Sequence, residues 1–268
     1  MKEKDTQALL EIAIQGAVLG GLEILDVYES DFAVETKEDK SPLTLADRRA
    51  HEKIVEVLRQ TEIPVLSEEG KSIEHSVRSK WGRFWMVDPL DGTKEFVKRN
   101  GEFTVNIALI DNGVPIAGVI YVPVKADLYF GWLGGASYKL GGFTQNESAD
   151  LKALCEAGVK LPLEANGRPF TAVGSRSHMS PETEQFFKEL KQEHGEIEVV
   201  SMGSSLKICL VAEGKADVYP RFAPTMEWDT AAGHAIALGA GKEVIDHSTG
   251  QPMRYNKENL LNNWFIVR

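Results

Sequence analysis

A proline and a glycine hold two aspartates at the end of an apolar run, and this segment constrains the fold more than any other. Phe84-Trp85-Met86-Val87 reads as a buried strand, and Asp88-Pro89-Leu90-Asp91-Gly92-Thr93 follows it directly. Pro89 and Gly92 predict a turn, which places Asp88 and Asp91 at the carboxyl end of that strand. In open α/β sheets, ligands bind at this edge. Two carboxylates converging on one small space repel each other unless a cation or a proton lies between them. Hard oxygen donors favour Mg²⁺ or a similar ion. The segment therefore predicts a metal site at a sheet edge.

The rest of the chain divides into two patterns. Residues 6–29 read as a helix with Leu9, Leu10, Ala13, Ala17 and Leu25 near one stripe. Phe32 to Thr36 reads as a short strand, Lys37 to Lys40 as a charged loop, and Ser41-Pro42 as the entry to a helix ending near Gln60, with Ile54, Val55 and Leu58 inward. Pro64 to Ser67 is a strand running into Glu68-Glu69, and residues 71–82 form a polar, exposed segment. Phe103 to Ile110 and Val114 to Val122 flank Asp111-Asn112-Gly113, a strong hairpin signal. Tyr129 to Trp132 and Ala136 to Tyr138 predict another hairpin. The first half thus reads as an antiparallel sheet preceded by two helices.

Residues 141–168 read as an irregular connector. Strands then alternate with helices: strands at 171–174, 197–200, 216–219 and 264–267, and helices at 181–193, 204–213 and 230–238. Such alternation predicts a mainly parallel or mixed sheet with helices on its faces. The pattern thus changes between the first half of the chain and the second.

Composition narrows the partners. The 268 residues are 43% hydrophobic, enough for a substantial core, and the net charge is -10. That balance argues against a nucleic-acid polymer but leaves room for a small phosphorylated ligand in a local cationic pocket. Cys155 and Cys209 lie in no CxxC spacing, so neither a disulfide framework nor a zinc site is expected, and a cytoplasmic setting is the natural reading. Lys2 and Lys4 before the apolar stretch Ala8 to Leu25 resemble a signal peptide, but Glu11, Gln15 and Glu23 interrupt it. We expect an amphipathic helix and no transmembrane segment, and leave open peripheral attachment to the cytoplasmic side of an inner membrane.

Further residues could join Asp88 and Asp91. Glu68-Glu69 ends the preceding strand, Asp47 lies at a helix start, and Asp229 opens the Ala-rich helix. Each alone is more often a cap or a solvated turn. Gly92 permits close backbone approach, and Thr93 opens a short helix whose N–H groups suit phosphate. Gly203-Ser204-Ser205-Leu206-Lys207 is a second anion-binding candidate, with Arg221 in Tyr219-Pro220-Arg221 and His178 in Ser175 to His178 as further polar candidates.

Taken together, Glu68-Glu69, Asp88 to Thr93 and Trp228-Asp229 resemble the signatures of the Mg²⁺-dependent, Li⁺-sensitive phosphatases that include inositol monophosphatase and fructose-1,6-bisphosphatase. The continuation Lys94-Glu95-Phe96, the stretch Asn100 to Leu109, Gly203 to Lys207, Tyr219 to Arg221 and Trp228 to His234 look like the bacterial CysQ branch. The resemblance implies an α/β (α+β layered) fold, an α/β/α/β sandwich of two subdomains, 1–145 carrying most metal ligands and 146–268 carrying nucleotide-binding residues and Asp229. It implies a 3'(2'),5'-bisphosphate nucleotidase of sulfur metabolism, hydrolysing adenosine 3',5'-bisphosphate to AMP, with its 5'-phosphosulfate relative as a further substrate. It also implies two or three Mg²⁺ held by Glu68, Asp88, the Leu90 carbonyl, Asp91 and Asp229, with Li⁺ as an inhibitor. Asp47 and Thr93 would activate water, Gly92 and Thr93 would hold the scissile phosphate, and His178, Ser204, Lys207 and Arg221 the rest of the nucleotide. The rivals are inositol monophosphatase, more weakly fructose-1,6-bisphosphatase, and, from another class, a non-enzymatic divalent-ion module. The oligomeric state stays open.

Overall fold

The computed structural model describes residues 3–30, 42–164, 167–174 and 180–268. The expected strand at 32–36 and loop at 37–40 lie outside them. Helix α1 (Glu3–Tyr28) buries Leu10, Ala13, Ile14, Ala17, Ile24 and Val27, a spacing of three and four that makes one apolar face. The stripe passes through Ile24 and Val27 rather than the expected Leu25. Helix α2 (Pro42–Leu58) buries Ala46, Ala50, Ile54 and Leu58 at strict four-residue spacing. A Cβ at Gly20 would meet Ile54 at 2.7 Å, so glycine sets the close approach of α1 to α2. Length and hydropathy alone do not set α1 apart from a membrane span. Residues Asp5–Tyr28 are long and apolar enough to cross a bilayer, by length and composition. Half of that stretch is buried within the protein, because it supplies one wall of a core.

The first sheet has seven strands in sequence order: β1 (Val65–Ser67), β2 (Arg83–Asp91), β3 (Thr104–Asp111), β4 (Val114–Val122), β5 (Asp127–Trp132), β6 (Ser137–Leu140) and β7 (Val159–Leu161). Only β1 and β2 are parallel; the later pairs are antiparallel. Asn112 and Gly113 both take positive φ, 48° and 77°, giving the tight β3–β4 turn that the sequence predicts. The described residues of the supposed connector at 141–168 include regular structure. They contribute α5 (Leu151–Ala157), tied to α1 by the Leu151 amide donating to Glu11, and the edge strand β7. The polar segment at 71–82 is likewise pinned: α3 (His75–Arg78) buries Arg78, whose guanidinium donates to Asn256 and to the Lys257 and Glu258 carbonyls.

The short helix α4 (Thr93–Val97) follows β2. The second half contains β8 (Thr171–Val173), α6 (Pro181–His194), β9 (Glu198–Val200), α7 (Leu206–Ala212), β10 (Tyr219–Arg221), α8 (Glu227–Gly239), β11 (Val244–Asp246) and β12 (Phe265–Val267). Strands β8 and β9 are parallel, β10-β12-β11 is antiparallel, and a parallel bridge from Ala172 to Val218 joins the groups. The expected mixed sheet is present, with β11 added and the 216–219 strand displaced to 219–221.

These elements form an α/β layered fold. One core lies between α1, α2, α5 and the first sheet; a second lies between that sheet, α7, α8 and the second sheet; α6 covers a third cluster. Helix α8 is buried nearly all round, through Ala231, Ala232, Ala235, Ile236 and Ala237. Its small side chains let it press on the first sheet: a Cβ at Gly118 would meet the Ala232 carbonyl oxygen at 2.3 Å. That approach delivers the start of α8 to the end of β2.

Candidate active site

Residues three apart on a regular strand point to opposite faces, so Asp88 and Asp91 need a device to converge. A bulge supplies it. Asp88 pairs with Asn106 and Asp91 with Thr104, three steps on β2 against two on β3. Strand β2 therefore continues through Pro89 rather than turning there as expected. Leu90 drops into the first core, while both aspartates face α8. The Leu90 amide donates to Asp88 Oδ1 at 3.1 Å, which fixes the kink. Gly92, at φ 98°, then starts α4, with Thr93 exposed at its first position.

The start of α8 is fixed just as firmly. Asp229 Oδ2 accepts from the Met226 amide at 2.8 Å, a helix cap reached from inside the first turn. Asn262 Nδ2 donates to the Met226 carbonyl at 2.7 Å. Glu227, fully buried, accepts from the Asn256 and Lys257 amides and pairs with Lys257 Nζ at 2.5 Å. None of these supports was expected from sequence.

Among the described residues, Glu68, Asp88 and Asp229 each bring one carboxylate oxygen within 4.8 Å of the other two. Asp91 adjoins this trio, with Oδ2 turned to Ser205 Oγ at 2.6 Å and Asn106 Nδ2 at 3.3 Å. Asp47 is buried, on the second turn of α2 rather than at its start. The charges are mutually unfavourable. Burial first, then Asp91, Glu68, Asp229 and Asp47, push Asp88 well above the usual carboxylate range. Burial and Asp91 raise Asp229 to about 7. Burial, then Glu69 and Glu68, raise Asp47 to about 8. Burial raises Glu68 too, against a hydrogen bond with Asp88 that lowers it. Hard oxygen donors that cannot all ionise beside one another fit a divalent cation by both chemistry and charge.

This crowding predicts a pH signature. Asp229 and Asp47 hold their protons to about 7 and about 8, against an ordinary 3.8. Between those limits the unfolded chain binds fewer protons than the folded one, so stability falls as pH rises. A divalent cation binds the ionised forms and offsets the loss. Saturating Mg²⁺ should therefore raise the thermal midpoint more at about pH 8 than at about pH 5. Equal increments at both would contradict the cluster's role.

Beside the carboxylates lie two cavities of about 270 and 410 Å³, which share Lys94, Glu95, Lys207, Tyr219 and Arg221. They form one cleft, with Asp91, Gly92 and Asp229 at its inner end and Pro220, Phe222 and Met202 at its outer end. Ser204, at φ 45°, has a buried hydroxyl without a partner among the described residues, and it lines the inner cavity. Lys207 Nζ donates to the Ser204 carbonyl at 2.8 Å, and burial lowers its pKa. Arg221 donates to the Pro224 carbonyl at 3.1 Å, and its buried Nε has no partner among the described residues. His178 lies outside the described residues; Gly174 and Ser180, on either side, line the outer cavity. The cleft thus gathers Gly92, Ser204, Lys207, Arg221, Asp91 and Asp229.

Several residues lie within the sequence motifs but carried no expected role of their own: Lys94 and Glu95 line the cleft, and Ser205, Asn106 and Thr104 stand behind Asp91. A signal existed for the last two. Thr104 and Asn106 are polar at alternate positions of an otherwise apolar strand, so they share one face.

Known proteins resemble the chain in sequence and in fold. Residues 5–264 match the model of the inositol monophosphatase family. The chain is 46% identical to the 3'(2'),5'-bisphosphate nucleotidases CysQ of Salmonella typhimurium and Escherichia coli strain K12, over 97% of this chain and 99% of each relative. The crystal structure of CysQ from Bacteroides thetaiotaomicron superposes with a TM-score of 0.93 at 56% identity, covering 98% of this chain and 97% of that one. An inositol monophosphatase from Zymomonas mobilis shares the fold, with a TM-score of 0.74 at 21% identity over 100% of this chain and 93% of that one.

Proposed function

The chain belongs to the inositol monophosphatase family, and from that premise we propose that it is a 3'(2'),5'-bisphosphate nucleotidase that hydrolyses adenosine 3',5'-bisphosphate to AMP and phosphate. The observation that carries the substrate assignment is the continuous cleft. It runs from the carboxylate cluster past three cations, Lys94, Lys207 and Arg221, to a second cavity with an apolar wall. A small monophosphate needs neither the additional cations nor the second cavity. Identity of 46% to nucleotidases over nearly the whole chain supports the same reading.

The enzyme depends on a divalent cation. We take the ion to be Mg²⁺, with two or three bound and Li⁺ inhibitory. Glu68, Asp88, the Leu90 carbonyl, Asp91 and Asp229 would hold it. When bound, it supplies a water of lowered pKa and charge stabilisation at phosphorus and at the leaving oxygen. The protein contributes position and electrostatics. Gly92 and Thr93 seat the 3'-phosphate at the start of α4. Asp47, raised by burial and by Glu69 and Glu68, loses the second part of that shift when the acidic cluster is neutralised; it takes a proton from the attacking water, and the Thr93 hydroxyl orients that water. As the new P–O bond forms, the bond to the ribose 3'-oxygen breaks, and that oxygen leaves as a hydroxyl after accepting a proton. Ser204, Lys207, Arg221 and His178 hold the remainder of the nucleotide. Each cation there offsets the repulsion that a net charge of -10 exerts on an anionic substrate.

In this reading the first subdomain, 1–145, provides most of the metal site, and the second, 146–268, provides nucleotide contacts and Asp229. We place the enzyme in the cytoplasm, in sulfur metabolism. Phosphate release from adenosine 3',5'-bisphosphate, inositol 1-phosphate and fructose 1,6-bisphosphate, each with Mg²⁺ and with or without Li⁺, tests the substrate class. Strong preference for the nucleotide is expected. Preference for the inositol phosphate would overturn the substrate assignment while keeping the metal chemistry.

A further inference from the structure

We propose that Ser205, backed by Asn106, is a positioning residue for the metal centre: its hydroxyl joins a carboxylate from the first sheet to the start of α8. This rests on the reading of Asp91 and Asp229 as metal ligands. Ser205 Oγ lies 2.6 Å from Asp91 Oδ2 and 2.7 Å from the Asp229 carbonyl oxygen. Asn106 Nδ2 donates to Ser205 Oγ at 2.9 Å and to Asp91 Oδ2 at 3.3 Å. Thr104 Oγ1 donates to Asn106 Oδ1 at 3.0 Å, which fixes the orientation of that amide. Thr104, Asn106 and Ser205 are all buried.

The donor inventory gives the network its function. A serine hydroxyl has one proton, and here it is shared between two acceptors, the Asp91 carboxylate and the Asp229 carbonyl oxygen. The Asn106 amide has two protons, one for Ser205 and one for Asp91. Asp91 Oδ2 thereby receives two donors, which fix the orientation of the carboxylate beside the trio. The same hydroxyl touches the main chain of Asp229, so the ligands of β2 and α8 are set relative to each other through one oxygen. Partners that orient a metal-binding carboxylate in this way typically contribute one to two orders of magnitude in metal affinity or activity.

The test is direct Mn²⁺ binding, by calorimetry and by electron paramagnetic resonance, to full-length wild type, Ser205→Ala, Asn106→Ala and the double variant. The control is Ser137→Ala, which removes another buried serine hydroxyl, bonded to the Ile236 carbonyl of α8 but to no acidic residue. We expect Kd for Mn²⁺ to rise about tenfold in Ser205→Ala, and by less than the product of the single effects in the double variant. The rise in thermal midpoint on adding Mn²⁺ should shrink in parallel. Ser137→Ala should lower the metal-free midpoint yet keep Kd within about twofold of wild type. A Ser205→Ala Kd within about twofold of wild type, or an equal rise in Ser137→Ala, overturns the proposal alone. Failure of wild type to bind Mn²⁺ overturns the metal reading and this inference with it.

Discussion

Asp91→Asn is expected to lower kcat by roughly three orders of magnitude, the scale on which one preorganised electrostatic element contributes to a hydrolytic transition state. The fold should persist. The new side chain has the same shape, and its carbonyl oxygen can take the Ser205 and Asn106 hydrogen bonds that Asp91 Oδ2 now accepts. That orientation points an amide NH₂ group at the cation, where a donor replaces an acceptor and one negative charge is lost. Steady-state turnover at saturating Mg²⁺, with the thermal midpoint as a check on folding, decides the matter. Full activity in the variant would remove Asp91 from the metal site.

Lys207→Ala is expected to act on binding instead. Its ammonium is half-buried between the Ser204 carbonyl and the cleft, and it lines both cavities. Removing a charge-assisted hydrogen bond to a phosphate costs about 2 kcal/mol, or roughly 30-fold in KM. The bisphosphate nucleotide should show this loss, and a small phosphomonoester that reaches only the inner end should show little of it. The comparison uses KM for both substrates in the same variant. Equal effects would mean that Lys207 serves the cleft as a whole rather than a second phosphate.

Much of the site was legible because its chemistry is local. Asp88 to Thr93 places two carboxylates, a glycine and a hydroxyl within six residues, and Asn112-Gly113 encodes its own turn. The bulge in β2 was less legible, since it is defined by pairing with Thr104 and Asn106 on another strand. The sequence suggested a turn at Pro89, but the edge position of the aspartates survived that error. Ser205 was read as part of an anion-binding turn; its contact with Asp91 spans 114 residues and depends on the start of α7 reaching the end of β2. Arg78 looked solvent-exposed because its acceptors lie about 180 residues away. Helix α1 shows the opposite limit, for a membrane span and a core helix read alike until the neighbour that covers them is known.

The central claim, metal-dependent removal of the 3'-phosphate from a bisphosphate nucleotide, is tested most directly by phosphorus NMR of the reaction with adenosine 3',5'-bisphosphate. The account predicts loss of the 3'-phosphate resonance, growth of inorganic phosphate, and an AMP product that keeps its 5'-phosphate, all dependent on added Mg²⁺ and stopped by a chelator. Accumulation of the 3'-monophosphate, or equal turnover in the presence of the chelator, would contradict it.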